Sequence, residues 1–322
     1  MPQASGSAAG TRQTWYACSA TLALILFAAA FLTQLGLFPT TYVSSPHAMF
    51  ETSNSLHASR ATLRMKTGVD THVLGRKPFV TMVVVVTSAA AWADRRARIR
   101  HQFPRNAELV PAEQTVLLKF AVGIQNLDHD ILLQARKEAA NRTDMLFFDC
   151  LDMDQELNDI NNWHLNAGPS ATTQKVLLSI EWAVQHFDFE YFFRLGDDSY
   201  FRVDKFMALL AAKEVPSAKA VVGRMQSGYV FDMQQTYPQG SGYGLTYDVC
   251  AFIADNKGNL MDTAPEDCVV ARWLFAVGAR FVHSTLWCEM SIGEKCESDM
   301  VLAHKLSPEC WTYILDDGTL AC

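Results

Sequence analysis

The run Glu190-Tyr-Phe-Phe-Arg-Leu-Gly-Asp-Asp-Ser199 carries an apolar, strand-like stretch into two adjacent carboxylates, Asp197 and Asp198. Carboxylates at the end of a buried strand are costly to desolvate and normally need a cation, and the loop beyond such strands is where α/β sheets bind ligands. Oxygen donors suit Mn²⁺ or Mg²⁺, and two acidic residues with water and diphosphate oxygens make an octahedral set. Gly196 lets the backbone turn tightly beside such a ligand, although Gly-Asp-Asp-Ser without its strand is also an ordinary turn. Pro265-Glu266-Asp267 precedes an apolar helical stretch, Cys268 to Val277, so its carboxylates either cap that helix or act on a ligand near it. His304 ends the apolar run Met300-Val-Leu-Ala-His and reads as a structural histidine or a metal ligand. Tyr237-Pro-Gln-Gly-Ser-Gly-Tyr-Gly244 reads as a glycine-dense loop, either a plain turn or one that brings backbone N–H groups to a polar ligand.

These groups need a scaffold, and the preceding residues supply one. Phe79-Val-Thr-Met-Val-Val-Val-Val86 is a β-branched run typical of a strand buried on both faces. A helix follows from Ala90 to Phe103, ended by Pro104. On its wheel Trp92, Ile99 and Phe103 form one stripe, with Arg96 inside it, Arg100 on its border, and Arg95 and Arg98 facing elsewhere. An arginine on that stripe either reaches an anionic ligand through bidentate phosphate contacts or lays its stem on the core. Strand (116–122), helix (130–140) and strand (145–148) come next, an order that signals a mostly parallel sheet flanked by helices. A helix over 172–187, with Lys175 near its start, leads into the acidic strand.

The chain has 322 residues, 49% apolar and 19% charged, with a formal charge of −7. That balance offers no basic cluster for nucleic acid. From Gln13 to Pro46 no side chain is charged, and Trp15 to Phe38, about 24 residues, is long enough to cross a hydrocarbon core of roughly 30 Å. A cleavable signal peptide ending near Ala28-Ala29-Ala30 is the rival to a signal anchor. The expected organisation is a cytoplasmic tail (1–14), a single membrane helix (15–38), a polar stalk (39–77) and one α/β domain (78–322). Cys288, Cys296, Cys310 and Cys322 crowd the last 35 residues, which predicts disulfides in an oxidising lumen. Asn141-Arg-Thr143 is a glycosylation sequon.

In their order along the chain, these pieces resemble the inverting β1,3-glycosyltransferases of the Golgi, a family that includes galactosyl- and N-acetylglucosaminyltransferases and the fringe proteins. Asp94-Arg-Arg-Ala-Arg-Ile-Arg100 is similar to that family's early basic helix, and Lys175-Val-Leu-Leu-Ser-Ile-Glu-Trp182 to its Lys-Thr-Leu-Leu-Gly-Leu-Arg-Trp helix. Arg194-Leu-Gly-Asp-Asp-Ser-Tyr-Phe201 stands in place of its acidic triplet, with Gly196 where the first acidic residue would be. The Tyr237-Pro238 segment, Glu266-Asp267-Cys268-Val269-Val270, Gly278-Ala-Arg-Phe-Val-His-Ser284 and His304-Lys-Leu-Ser-Pro308 continue the likeness in register. Cys288 lies where fringe proteins offer a histidine.

The resemblance implies a GT-A-type nucleotide-sugar-binding domain and a single-pass type II Golgi membrane protein with its catalytic domain in the lumen. It implies Asp198 and His304 as Mn²⁺ ligands, Asp197 as a contact to the donor ribose or the metal's water shell, and Asp267 as the general base. Arg96, Arg100 and Lys175 become candidate contacts to the diphosphate of a UDP-sugar. The implied reaction moves a hexose, galactose first, onto a glycan acceptor; a β1,3-N-acetylglucosaminyltransferase and a catalytically idle lumenal binder are the alternatives.

Overall fold

The computed structural model describes residues 76–140, 142–153, 169–230, 233–263, 265–293, 296–307 and 310–311. The expected tail, membrane helix and stalk, Asn141 of the sequon and Cys322 lie outside them. Among the described residues no helix is long and apolar enough to cross a membrane.

A seven-stranded sheet forms the centre, in the order β3-β2-β1-β4-β7-β6-β8. β1 (Phe79–Thr87) lies between β2 (Val116–Gln125) and β4 (Asp188–Gly196), parallel to both, and β3 (Met145–Leu151) adds in parallel outside β2. β7 (Met233–Thr246) is antiparallel to β4 and to β6 (Ala220–Val230), and β8 (Arg280–His283) pairs in parallel with β6. The sheet is therefore mixed, mostly parallel, with β7 reversed. Met82 to Val86 expose at most 1% of their surface, which accounts for the unbroken apolar run in β1: both faces are covered. Each such valine contributes about 1.5–3 kcal/mol by leaving water.

Helices pack on the sheet. They are α1 (Ala93–Ala107), α2 (His129–Ala139), α3 (Ala171–His186), α4 (Val203–Ala211), α5 (Tyr247–Asp255) and α6 (Glu266–Val277). Ser170 caps α3, its side chain accepting from the Thr173 amide at 3.3 Å. Gly278 ends α6 in the left-handed region, φ 68°, where a side chain would be strained. α1 runs four residues beyond the expected end at Phe103. Pro104 lacks an N–H but keeps its carbonyl, which accepts from Glu108 at 2.9 Å and carries the last turn.

The glycine-dense segment is the larger correction, because it is a strand within β7 and not a loop. Glycine is required there by packing. A Cβ on Gly242 would stand 2.6 Å from Leu302 Cδ1, and one on Gly244 would stand 3.1 Å from both Phe206 and Tyr191.

A second sheet, in the order β5-β10-β9, is built from β5 (Ser199–Phe201), β9 (Trp287–Glu289) and β10 (Leu302–His304). Cys288 and Cys296 are joined by a disulfide, and Cys310 is also disulfide-bonded, in line with the crowding of cysteines. Cys150, Cys250 and Cys268 are buried free thiols.

Candidate active site

The carboxyl ends of β1, β2, β3 and β4 share one edge of the sheet, and buried polar groups tie them together. Asp152, just past β3, accepts from the Ala90 amide at 2.8 Å and the Gly123 amide at 3.1 Å. Lys175, from α3, reaches the same carboxylate at 3.2 Å and the Ser88 carbonyl at 2.8 Å. Lys175 and Asp152 each expose only 4% of their surface, so this pair is a clamp on three strand ends. Arg96 is fully buried. It forms a two-point pair with Glu138, at 3.0 and 2.7 Å, and bonds the Ala89 and Ala90 carbonyls and the Ser88 hydroxyl. Ser88 in turn donates to Asp197 at 2.8 Å. Arg100 lies elsewhere, by the start of β3, where it pairs with Asp144 and Glu138 over the Phe120 ring.

Asp197 and Asp198 leave β4 in different surroundings. Asp197, 5% exposed, is held by Ser88 and by Arg95 at 3.0 Å, and Asp198 exposes 39% of its side chain, so Asp198 is the carboxylate open to a ligand. The helical wheel turned Arg95 away; instead it reaches over the strand end, its guanidinium 4.0 Å from the Trp92 ring. Burial raises the Asp197 pKa, against the hydrogen bonds from Ser88 and Arg95. Burial also pushes Asp198 upward, but the His304 hydrogen bond and charge, with Arg194 behind them, bring its pKa below the ordinary value.

His304 comes to Asp198 through strand pairing. β10 runs antiparallel to β5 with His304 opposite Ser199, and parallel to β9 with His304 opposite Glu289. The imidazole Nε2 lies 3.3 Å from Asp198 Oδ1, and Nδ1 lies 2.6 Å from Glu289 Oε2. Burial would lower the His304 pKa, yet the two carboxylates raise it.

Asp267 occupies the first turn of α6, its Oδ1 accepting from the Cys268 amide at 2.8 Å. A Cβ on Gly240 would lie 3.4 Å from Asp267 Oδ2, and Ser199 donates its hydroxyl to the Ser241 carbonyl at 2.9 Å. Neighbouring residues of β7 thus back the Asp267 side and the Asp198 side. Arg194, 6% exposed, stands between them: it bonds the Gly240 carbonyl and pairs with Glu266 at 3.3 Å. Burial lowers the Arg194 pKa, but Glu266, Tyr243, Asp267 and Asp198 together raise it. Burial raises the Asp267 pKa, with the Cys268 and Gly240 backbone and Arg194 opposing.

The structure therefore brings Asp198, His304 and Asp267 around the Gln239–Ser241 stretch of β7, while Asp197 turns to Ser88 and Arg95. Arg96 and Lys175 hold the loop beneath, and Arg100 stays apart. The sequence assigns no site role to Arg95, which the wheel turns away, to Arg194, which stands within the acidic strand, or to Glu289, which carries no local signal. Among the described residues no group of three or more His, Cys, Asp or Glu is arranged to hold a metal.

No family model matches the chain. Beta-1,3-galactosyltransferase 6 of Mus musculus is 25% identical over 244 residues, covering 71% of this chain and 70% of that protein. UDP-GalNAc:beta-1,3-N-acetylgalactosaminyltransferase 2 of Xenopus laevis is 27% identical over 149 residues, 42% of this chain and 30% of that protein. The match to the second relative thus spans less than a third of its length. Among solved structures, a glycosyltransferase involved in glycosylation of the major capsid of PBCV-1 aligns at 10% identity with a TM-score of 0.41, over 73% of this chain and 99% of that one, too remote to argue from. The sequence relatives and the helix-flanked mixed sheet support a sugar-nucleotide-dependent glycosyltransferase with a GT-A-like fold.

Proposed function

We propose that this protein is an inverting, metal-dependent β1,3-glycosyltransferase that moves a hexose, galactose first, from a UDP-sugar to a hydroxyl of a glycan acceptor. The observation that supports it most is the joint backing of Asp198 and Asp267 by one stretch of β7, with Arg194 between them. Two carboxylates with unlike environments suit unlike tasks.

The donor chemistry on the Asp198 side fits Mn²⁺. One open carboxylate and one imidazole nitrogen face each other at 3.3 Å, and Mn²⁺ accepts mixed oxygen and nitrogen ligands. Asp198 and His304 would hold the ion, leaving its other positions to water and diphosphate oxygens. Bound there, it would neutralise charge on the departing UDP.

On the other side Asp267 would take the proton of the acceptor hydroxyl as its oxygen attacks the anomeric carbon. The new C–O bond forms as the bond from the anomeric carbon to the diphosphate oxygen breaks, its electron pair leaving with UDP, and the anomeric centre inverts. Arg95, with 36% of its side chain exposed, is the arginine free to swing from Asp197 to a phosphate. Arg96 and Lys175 would act from below by fixing the Ser88–Ala90 loop. The setting we propose is the Golgi lumen, with the chain anchored by residues 15–38 as a type II protein; lumenal oxidation agrees with the Cys288–Cys296 disulfide.

The test is UDP release from a panel of UDP-galactose, UDP-N-acetylglucosamine, UDP-N-acetylgalactosamine and UDP-glucose, with and without Mn²⁺ and with β-galactoside and N-acetylglucosaminide acceptors. Acceptor-dependent release with Mn²⁺ is expected, lost in Asp198→Ala and His304→Ala. Release that is equally fast without acceptor would point to a hydrolase, and no release with any donor would leave a lumenal binder.

A further inference from the structure

His304 can ligate a cation through Nε2 only if its ring is held in place and its proton sits on the other nitrogen, and a residue outside the proposed ligand set meets both requirements. Glu289 and His304 are paired residues of neighbouring parallel strands, so their side chains leave the small sheet on one face. Glu289 is 5% exposed, and both of its oxygens are engaged. Oε1 accepts from the Ser291 amide at 3.1 Å and from the Ser291 hydroxyl; Oε2 accepts from Gln239 Nε2 at 2.5 Å and faces His304 Nδ1 at 2.6 Å. An ionised carboxylate only accepts, so Nδ1 must be the nitrogen that carries hydrogen in this contact. Nε2 is then left pointing at Asp198.

Resting on the reading of Asp198 and His304 as metal ligands, we infer that Glu289 is a positioning residue that fixes the rotamer and tautomer of His304 and so presents Nε2 to the metal. Carboxylates behind ligating histidines commonly serve this purpose. Gln239 extends the arrangement to β7, beside the Gly240 that backs Asp267, so the metal side and the base side share one hydrogen-bonded frame. The disulfide from Cys288, the residue before Glu289, to Cys296 restrains the same segment.

Two measurements on the full-length protein test this. In the first, titration of Mn²⁺ followed by the EPR signal of the free ion gives the affinity of wild type, Glu289→Ala, Glu289→Gln, His304→Ala and Asp198→Ala. Glu289→Ala is expected to weaken Mn²⁺ binding about 10–100-fold, and Glu289→Gln less, because an amide still offers Nδ1–H an oxygen. In the second, ¹⁵N NMR of histidine-labelled, metal-free protein at alkaline pH reads the neutral tautomer, with the His304 signal assigned by its loss in His304→Ala. Wild type should carry hydrogen on Nδ1, and Glu289→Ala should move it largely to Nε2. If Glu289→Ala does not fold, Glu289→Met, which offers Nδ1–H no oxygen, decides both readouts. An unchanged affinity in the Glu289 variants, where His304→Ala lowers it, would overturn the inference and leave the ligand reading intact. So would an unchanged tautomer. Affinities that ignore both His304→Ala and Asp198→Ala would instead overturn the ligand reading, and with it the metal role given to Glu289.

Discussion

Asp197 and Asp198 are chain neighbours with opposite surroundings, and one missing side chain beside them helps keep Asp198 where it is. A Cβ on Gly196 would lie 2.9 Å from Asp198 Oδ1 and 3.4 Å from the Ser199 hydroxyl and the Ser241 carbonyl. Restoring an acidic residue with Gly196→Asp is therefore expected to swing Asp198 away from His304 and to add a like charge. Mn²⁺ affinity measured by calorimetry should fall; a gain in affinity would show that Asp198 has room to spare. Asp267 carries a different prediction. Asp267→Asn should lower kcat about 10²–10⁴-fold at little cost to donor affinity, since a positioned base contributes that much. Burial raises its pKa, and the base works only as the carboxylate. The acid limb of kcat should thus lie above the ordinary carboxylate range, with rate lost as pH falls through it. A limb that survives in Asp267→Asn belongs to another group.

The pairing of α1 with α2 is an element-scale feature with a measurable cost. Arg96 is fully enclosed, and Glu138 on α2 answers its charge in a two-point contact. Removing one partner of a buried pair typically costs about 3–5 kcal/mol, so Glu138→Ala should lower the Tm by roughly 10 °C in a domain of this size. Burial would raise the Glu138 pKa, but Arg96 and Arg100 hold it below the usual value. A depressed acid stabilises fully above its unfolded pKa and loses that contribution as pH falls through its folded pKa. The gap in Tm between wild type and Glu138→Ala should accordingly narrow on acidification; a constant gap would mean that the loss is packing alone. At this scale the sequence was readable where the signal was local. The β-branched run of β1, the alternation of strands and helices, and a strand ending on Asp197 and Asp198 all follow from periodicity and residue type. β7 misread as a loop because its glycines answer to Leu302, Phe206 and Tyr191, contacts that no local window contains. Glu289 was invisible for a related reason, since only the β9–β10 register sets it opposite His304. Arg95 faced away on an ideal wheel because the wheel omits the reach of a long side chain across a strand end.

At the scale of the described domain, the small sheet packs on the large one where β7 faces β9 and β10. The Trp287 indole N–H donates to the Gly242 carbonyl at 2.9 Å, and Leu302 closes on the bare α-carbon of Gly242. A methyl group there would collide with Leu302 at 2.6 Å, so Gly242→Ala should cost about 1–3 kcal/mol as β10 gives way, visible as a lower Tm. The proposed metal side rides on the small sheet through His304, and the proposed base rides on α6 against β7. On the proposed reading, the seam between the sheets would act like the jaw of a caliper: a shift of β10 forced at position 242 would move His304 relative to Asp267, changing the gap between them, and touch neither carboxylate. In a donor panel, Gly242→Ala should alter the preference between plain and N-acetylated hexoses, and an unchanged ratio would mean that the gap is set elsewhere. Donor size in this architecture would then be tuned through a glycine next to the Gln239–Ser241 stretch, with both carboxylates left as they are.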